Sequence, residues 1–123
     1  MPKLKQFNDK EFNINVAGKN IIFSNNPASK TYIKNRMDRM LSKEPETIKW
    51  INNFDSNTIF FDIGANVGIY TLYSAIVKSN TVYAFEPHSA SYKNLLDSIN
   101  ANKLQNCHAY CIALSDKINL NNI

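Results

Sequence analysis

The strongest pattern in the chain is a nearly unbroken apolar run at 59–63, interrupted only by Asp62 and followed by a glycine-containing turn. Such a run is typical of a strand covered on both faces, as in a parallel sheet. Apolar residues then recur at helical spacing over 68–78, and a second apolar strand is predicted at 81–85. This succession predicts a βαβ unit.

The same alternation continues downstream. Positions 89–101 have the periodicity of a helix, with Ser89 as the expected N-cap, and a third strand is predicted at 107–114. Right-handed crossovers place the second and third strands to one side of the first. The first strand is then left with a bare edge, a feature prone to association. We therefore expect that the chain stops short of a fourth strand, or that a second copy or another chain covers this edge.

The pattern upstream is different. Phe12, Ile14 and Val16 alternate with polar residues, a turn is predicted at 17–20, and apolar residues return at 21–23, which predicts a β-hairpin. Helices are predicted at 29–41 and from Glu44 onwards. The predicted organisation is a hairpin with entry helices over 1–57 and a partial cofactor-binding domain over 58–123. The fold class is α/β, the N-terminal half of a doubly wound, Rossmann-like sheet.

The turn between the first strand and its helix carries the candidate chemistry. Gly64 and Gly68 allow positive φ angles and close approach of a ligand, and Asn66 tolerates the left-handed region. The helix N-terminus favours an anionic group, whereas Asp62 would attract an ammonium group. Glu86 ends the second strand at about the spacing, roughly 20 residues, expected of a ribose-binding acid. S-adenosylmethionine carries all three of the groups that these features would bind, namely a carboxylate, an ammonium group and a ribose.

Each of these residues also has a purely structural interpretation. Glu86 can be a solvated acid at a strand end, Asn66 a turn former and Asp62 a helix-capping acid. A nicotinamide dinucleotide is a competing ligand, but it favours glycine where Asn66 stands and is poorly compatible with Asp62. A non-catalytic truncated remnant or subunit is a third interpretation.

The motifs together resemble the N-terminal part of FkbM-type methyltransferases, a class I S-adenosylmethionine-dependent family. The resemblance covers roughly 36–117, and its motifs are Phe61-Asp62-Ile63-Gly64-Ala65-Asn66-Val67-Gly68-Ile69-Tyr70, Tyr83-Ala84-Phe85-Glu86-Pro87, Asn94-Leu95 with Asn100, and Ala113-Leu114-Ser115-Asp116. The fourth-strand motif of the family, which resembles Lys-Ile-Asp-Val-Glu-Gly, is absent.

The resemblance implies a role for each matched site residue. Asp62, Gly64, Asn66 and Gly68 would line the methionine end of the cofactor, Glu86 would hold the ribose hydroxyls, and the residues around Asp116 would lie near the adenine. It also implies methyl transfer to a hydroxyl of a sugar, glycan or small metabolite.

A general base is not evident from the sequence. His88 is a candidate because it follows Glu86 closely in the sequence. A loop residue without a catalytic role is the more ordinary interpretation of this position. His108 is expected on a strand surface.

Composition narrows the remaining choices. The net charge is +4, but the lysines are scattered, so nucleic acid is not an expected partner. No apolar run is long enough for a signal peptide or a membrane span, so we expect a cytoplasmic protein without a membrane partner. Cys107 and Cys111 on one strand would lie roughly 13 Å apart, too far for a disulfide, and no metal cluster is evident.

Overall fold

The structure is a computed structural model that describes residues 4–8, 11–24, 35 and 46–118. Within these residues the strands are β1 Leu4–Asn8, β2 Glu11–Val16, β3 Lys19–Ser24, β4 Ile59–Ile63, β5 Thr81–Phe85 and β6 Cys107–Tyr110. The helices are α1 Glu46–Asn52, α2 Ile69–Val77 and α3 Ser89–Ala101. The helix predicted at 29–41 lies outside the described residues except for Asn35, which is helical and exposed.

Strands β4, β5 and β6 form a parallel sheet in the order β4-β5-β6. The order confirms the prediction that the second and third strands lie on one side of the first. The predicted extension of the third strand to residue 114 is wrong, because the strand ends at Tyr110. The reason is the neighbouring strand: Tyr110 pairs with Phe85, the last residue of β5, and Pro87 beyond it has no N–H to continue the ladder.

Helices α2 and α3 cover one face of this sheet, and the antiparallel sheet β1-β2-β3 lies against them. Side chains at the C-terminal end of α3 bond the backbone of β3. Ser98 Oγ accepts from Ser24 N at 2.8 Å. The side-chain amide of Asn102, the C-cap residue, accepts from Ile22 N at 2.9 Å and donates to Ile22 O at 2.7 Å. Strands β2 and β3 pair antiparallel, so the predicted hairpin is confirmed, and β1 pairs with β2 as an additional strand. One apolar core includes residues of β2, β3, the helices and the parallel sheet.

The other face of the parallel sheet is not covered by the described residues. Ile59, Phe61 and Ile63 are 61%, 60% and 63% exposed, whereas Phe60 between them is 7% exposed. The prediction that this strand is covered on both faces is wrong for the described residues. Successive right-handed crossovers in one direction place their helices on the same side of the sheet, so α2 and α3 leave the opposite side bare. We call this surface the uncovered face; it consists of Ile59, Phe61, Ile63, Tyr83, Phe85, His108 and Tyr110, with ring contacts between neighbouring strands.

The N-cap of α3 differs from the prediction by one residue. His88, not Ser89, has the extended backbone of a cap, and its Nδ1 accepts from Ser91 N at 3.4 Å. The histidine that the sequence offered as a base thus begins a helix.

The two cysteines are free thiols, and Cys111 lies just beyond the end of β6. Cys107 is buried, and burial raises its pKa to about 12, while Cys111 is exposed. No helix among the described residues is long and apolar enough to cross a membrane.

Candidate functional site

The turn after β4 is bonded to the end of β5. Gly64 N and Ala65 N both donate to Phe85 O, at 2.8 and 3.0 Å. Gly64, Asn66 and Gly68 all have positive φ angles, of 75°, 56° and 93°. The sequence prediction of a left-handed Asn66 is therefore confirmed. The backbone in this conformation brings the tips of β4 and β5 together at one end of the sheet.

The two glycines of the turn have different surroundings. A Cβ added at Gly64 would meet no other atom within 4 Å, so its open side faces free space. A Cβ at Gly68 would overlap the Leu95 side chain of α3. Gly64 thus leaves room for a ligand, whereas Gly68 allows α2 and α3 to pack closely.

A pocket of about 390 Å³ opens beside this turn. It brings together three of the residues singled out from the sequence, Asp62, Gly64 and Asn66. Gly68 and Glu86 adjoin the pocket without lining it. The full lining is Asp62, Ile63, Gly64, Ala65, Asn66, Val67, Ile69 and Tyr70. A concave site with a few polar groups at the carboxyl end of parallel strands is where α/β sheets bind ligands.

Asp62 is buried at the end of β4 and bonded to the first turn of α2. Its Oδ2 accepts from the Thr71 hydroxyl at 2.6 Å, and the Thr71 N–H also donates to the carboxylate. Burial raises the pKa of Asp62; the two bonds from Thr71 act against this rise, and repulsion from Glu86 adds to it. Asp62 therefore accepts hydrogen bonds from the first turn of α2, as a helix-capping acid would. Asp62 also lines the pocket.

Glu86 is 7% exposed, so it is not the solvated acid that one interpretation of the sequence offered. Its Oε1 accepts from Asn66 N and its Oε2 from His88 N, both at 2.8 Å. The carboxylate therefore joins the turn after β4 to the loop after β5. Each oxygen retains acceptor capacity, because a carboxylate offers about four acceptor positions in total.

Asp116 is not brought to the pocket with the other residues singled out from the sequence. It is exposed in the segment 111–118, which has no regular secondary structure, and it is not among the residues that line the pocket. Its assignment to the adenine stays a prediction. The described residues hold no cluster of three or more histidine, cysteine or acidic side chains suited to a metal.

Thr71 is the site residue that sequence reasoning missed. Gly68, the N-cap of α2, has no side chain that could bond the free N–H groups of the first turn. A helix that begins with glycine needs a capping group from elsewhere, and a hydroxyl in its first turn opposite a strand-end acid is a signal for that arrangement.

Comparison with solved structures identifies similar folds. TYW2 of P. horikoshii, in complex with MeSAdo, aligns with a TM-score of 0.59 at 20% identity over 86% of this chain and 37% of that one. TYW2 of M. jannaschii, in complex with AdoMet, aligns with a TM-score of 0.57 at 23% identity over 93% of this chain and 47% of that one. Trm5b of Pyrococcus abyssi aligns with a TM-score of 0.51 at 17% identity, over 89% and 34%.

The chain shares with these structures a Rossmann-like α/β fold, in which helices pack on a parallel sheet. It spans less than half the length of each of these solved structures. No protein-family model and no curated protein matches the chain. The fold thus agrees with the predicted α/β class.

Proposed function

We propose that this chain binds S-adenosylmethionine in the pocket at the turn after β4 and forms the cofactor-binding part of a methyltransferase. The single observation that carries the proposal is the pocket itself, in which Asp62 and the open side of Gly64 lie at the sheet end shared with Glu86. The AdoMet and MeSAdo complexes of the TYW2 proteins, which share this fold, support the choice of ligand.

The residues present suit this ligand. The Asp62 carboxylate can pair with an ammonium group, and the first turn of α2 suits a carboxylate at a helix N-terminus. Glu86 has acceptor positions left for ribose hydroxyls, and the bonds from Asn66 and His88 hold it in place. A pyrophosphate fits less well, because Asp62 lines the pocket and, when ionised, repels it.

The chemistry assigned to this chain is binding and orientation. The bound cofactor supplies a methyl group already activated by the positive sulfur, so the protein's main contribution is alignment in a dry site. The acceptor that we propose is a hydroxyl of a sugar, glycan or small metabolite, in line with the resemblance to FkbM-type proteins. We further propose a cytoplasmic location, with neither nucleic acid nor a membrane as partner.

We propose, in addition, that a second copy of this chain or another chain covers the edge of β4 and the uncovered face. Within the described residues β4 is an edge strand, and three of its side chains are about 60% exposed apolar groups. Such an edge is a template for pairing with further polypeptide.

Isothermal titration calorimetry tests the ligand directly. The chain is titrated in parallel with S-adenosylmethionine, S-adenosylhomocysteine and NADH. We expect heat and a single binding site with the first two and none with NADH. Binding of NADH alone would support a dinucleotide oxidoreductase, and binding of no ligand by folded protein would support the non-catalytic remnant.

A further inference from the structure

The geometry points to Thr71 as the residue that positions Asp62 for the ammonium group of the ligand. The inference rests on the proposed function and adds a residue to it. Thr71 Oγ1 lies 2.6 Å from Asp62 Oδ2, and neither side chain is accessible to more than a small extent, at 0% and 8% exposure. Because both side chains are buried, water cannot readily replace this bond.

Thr71 is itself held in a fixed position. It stands in the first turn of α2 and is fully buried. Its hydroxyl and its backbone N–H both donate to the same carboxylate. Two donors on one rigid residue define the plane and direction of the Asp62 carboxylate more closely than a single bond would.

The bonds from Thr71 leave part of Asp62 available to a ligand. They use two of about four acceptor positions on the carboxylate, and the side chain lines the pocket. In the described structure Glu86 at the end of β5 is the charged group that acts on Asp62, and Tyr70 of α2 lines the same pocket. With a second acid close by, the charged form of Asp62 depends on its donors, and a ligand ammonium would add to them.

Thr71→Val removes the hydroxyl but keeps the shape of the side chain. The charged carboxylate then loses one donor, so its pKa should rise further and less of it should be ionised in weakly acidic solution. We expect the affinity for S-adenosylmethionine to fall at least about tenfold at pH 6, since a hydrogen bond to a charged group is worth that much. Thr71→Ser keeps the donor and should restore most of the affinity.

The experiment compares two ligands that differ at the group in question. S-adenosylmethionine carries the ammonium, whereas 5′-methylthioadenosine lacks the amino-acid part. Both are titrated between pH 4.5 and 7.5 into the wild type, Thr71→Val, Thr71→Ser and the control Thr81→Val. Thr81 begins β5, at the sheet end away from the pocket, so it receives the same substitution without touching Asp62.

We expect Thr71→Val to weaken the binding of S-adenosylmethionine and to leave the binding of 5′-methylthioadenosine unchanged. The pH at which the affinity for S-adenosylmethionine increases should also move to a higher value. Equal loss for both ligands, or an unchanged pH profile, would overturn the role of Thr71 while leaving the proposed function intact. Failure of the wild type to bind S-adenosylmethionine would instead overturn the proposed function. If Thr71→Val does not fold, Thr71→Ser decides: a wild-type pH profile supports the role of the hydroxyl, and an altered profile in folded Thr71→Ser overturns it.

Discussion

Glu86 Oε1 accepts the backbone N–H of Asn66 at 2.8 Å, and this bond joins the ends of two neighbouring parallel strands. Asn66 has a positive φ angle of 56°, in the left-handed region that only a few residue types adopt readily. Part of that strain is offset by a charge-assisted bond from its N–H. The acid that is expected to hold the ligand therefore also holds the turn against which the ligand would lie.

Glu86→Gln should weaken ligand binding. The amide oxygen can still accept from Asn66 N, but the amide nitrogen cannot accept from His88 N, and the negative charge is lost. We expect at least a tenfold loss of S-adenosylmethionine affinity by calorimetry, from a charged bond worth about 1.5–3 kcal/mol.

Asp97→Asn is the matched control for this change. Asp97 forms an exposed pair with Lys93 at 2.9 Å on α3, and exposed pairs contribute about 0–1 kcal/mol to stability. The Asp97→Asn variant should bind S-adenosylmethionine with the affinity of the wild type. If Glu86→Gln also bound it with the affinity of the wild type, Glu86 would not be part of the binding site.

Gly64→Ala should impair ligand binding, and it should destabilise the fold no more than the same substitution at Gly18. Gly64 and Gly18 have nearly the same φ angle, 75° and 76°, and a Cβ added at either position would meet no other atom within 4 Å. Both substitutions to alanine should therefore destabilise the fold by a similar amount, about 1 kcal/mol, as seen in urea unfolding.

Only Gly64 lines the pocket, so only Gly64→Ala should reduce the affinity for S-adenosylmethionine. Gly18→Ala, in the hairpin turn, serves as the control. A similar drop in affinity for the two variants would mean that backbone strain, not the pocket, accounts for the effect.

Phe60 and Phe61 are adjacent in β4 but point to opposite faces of the sheet. Phe60 is 7% exposed and packs near Trp50 and Phe54, while Phe61 is 60% exposed on the uncovered face. Phe60→Ala should lower the free energy of unfolding by about 3–5 kcal/mol, and Phe61→Ala by about 1 kcal/mol or less.

Self-association should depend on Phe61, which is exposed, rather than on Phe60, which is buried. If the uncovered face makes contact with a second copy, Phe61→Ser should reduce concentration-dependent association in sedimentation velocity, because less apolar surface is buried. Strong association that Phe61→Ser leaves unchanged would place the contact elsewhere.

Asp62 makes stability depend on pH. Its folded pKa is raised above the ordinary 3.8, chiefly by burial. Between the pKa of the unfolded state and the raised pKa of the folded state, the folded protein binds more protons than the unfolded chain. The free energy of unfolding therefore falls as the pH rises through this range, with a slope of at most about 1.4 kcal/mol per pH unit. Asp62→Asn should lack this decline in urea unfolding between pH 4 and 7. A wild-type curve that rises relative to the variant over this range would contradict the assignment.

Strong periodicity accounts for what the sequence could predict. Thr81–Phe85 and Ser89–Ala101 have the predicted bounds because each combines a clear apolar pattern with a turn or cap at its ends. The turn after β4 was predictable because glycine and asparagine at these positions are suited to positive φ angles, which all three have. β1 was not predicted, since its five residues, Leu-Lys-Gln-Phe-Asn, have little periodicity.

Other features depend on tertiary contacts that a linear pattern does not contain. The apolar run of β4 indicates that both faces are suited to burial, but not which elements cover them, and α2 and α3 cover only one. The cap of α3 depends on the direction of the His88 ring, and the partner of Asp62 depends on where the first turn of α2 lies. Thr71 was missed for that reason.

The most direct test of ligand binding in this pocket is a titration of ¹⁵N-labelled protein with S-adenosylmethionine, monitored by the amide resonances of Gly64, Asn66 and Gly18. We expect the resonances of Gly64 and Asn66 to shift progressively to saturation, because both residues line the pocket and Asn66 N donates to Glu86. The resonance of Gly18, in the hairpin turn, should not move. Saturable binding with shifts confined to other parts of the chain, or no shifts in folded protein, would contradict ligand binding in this pocket.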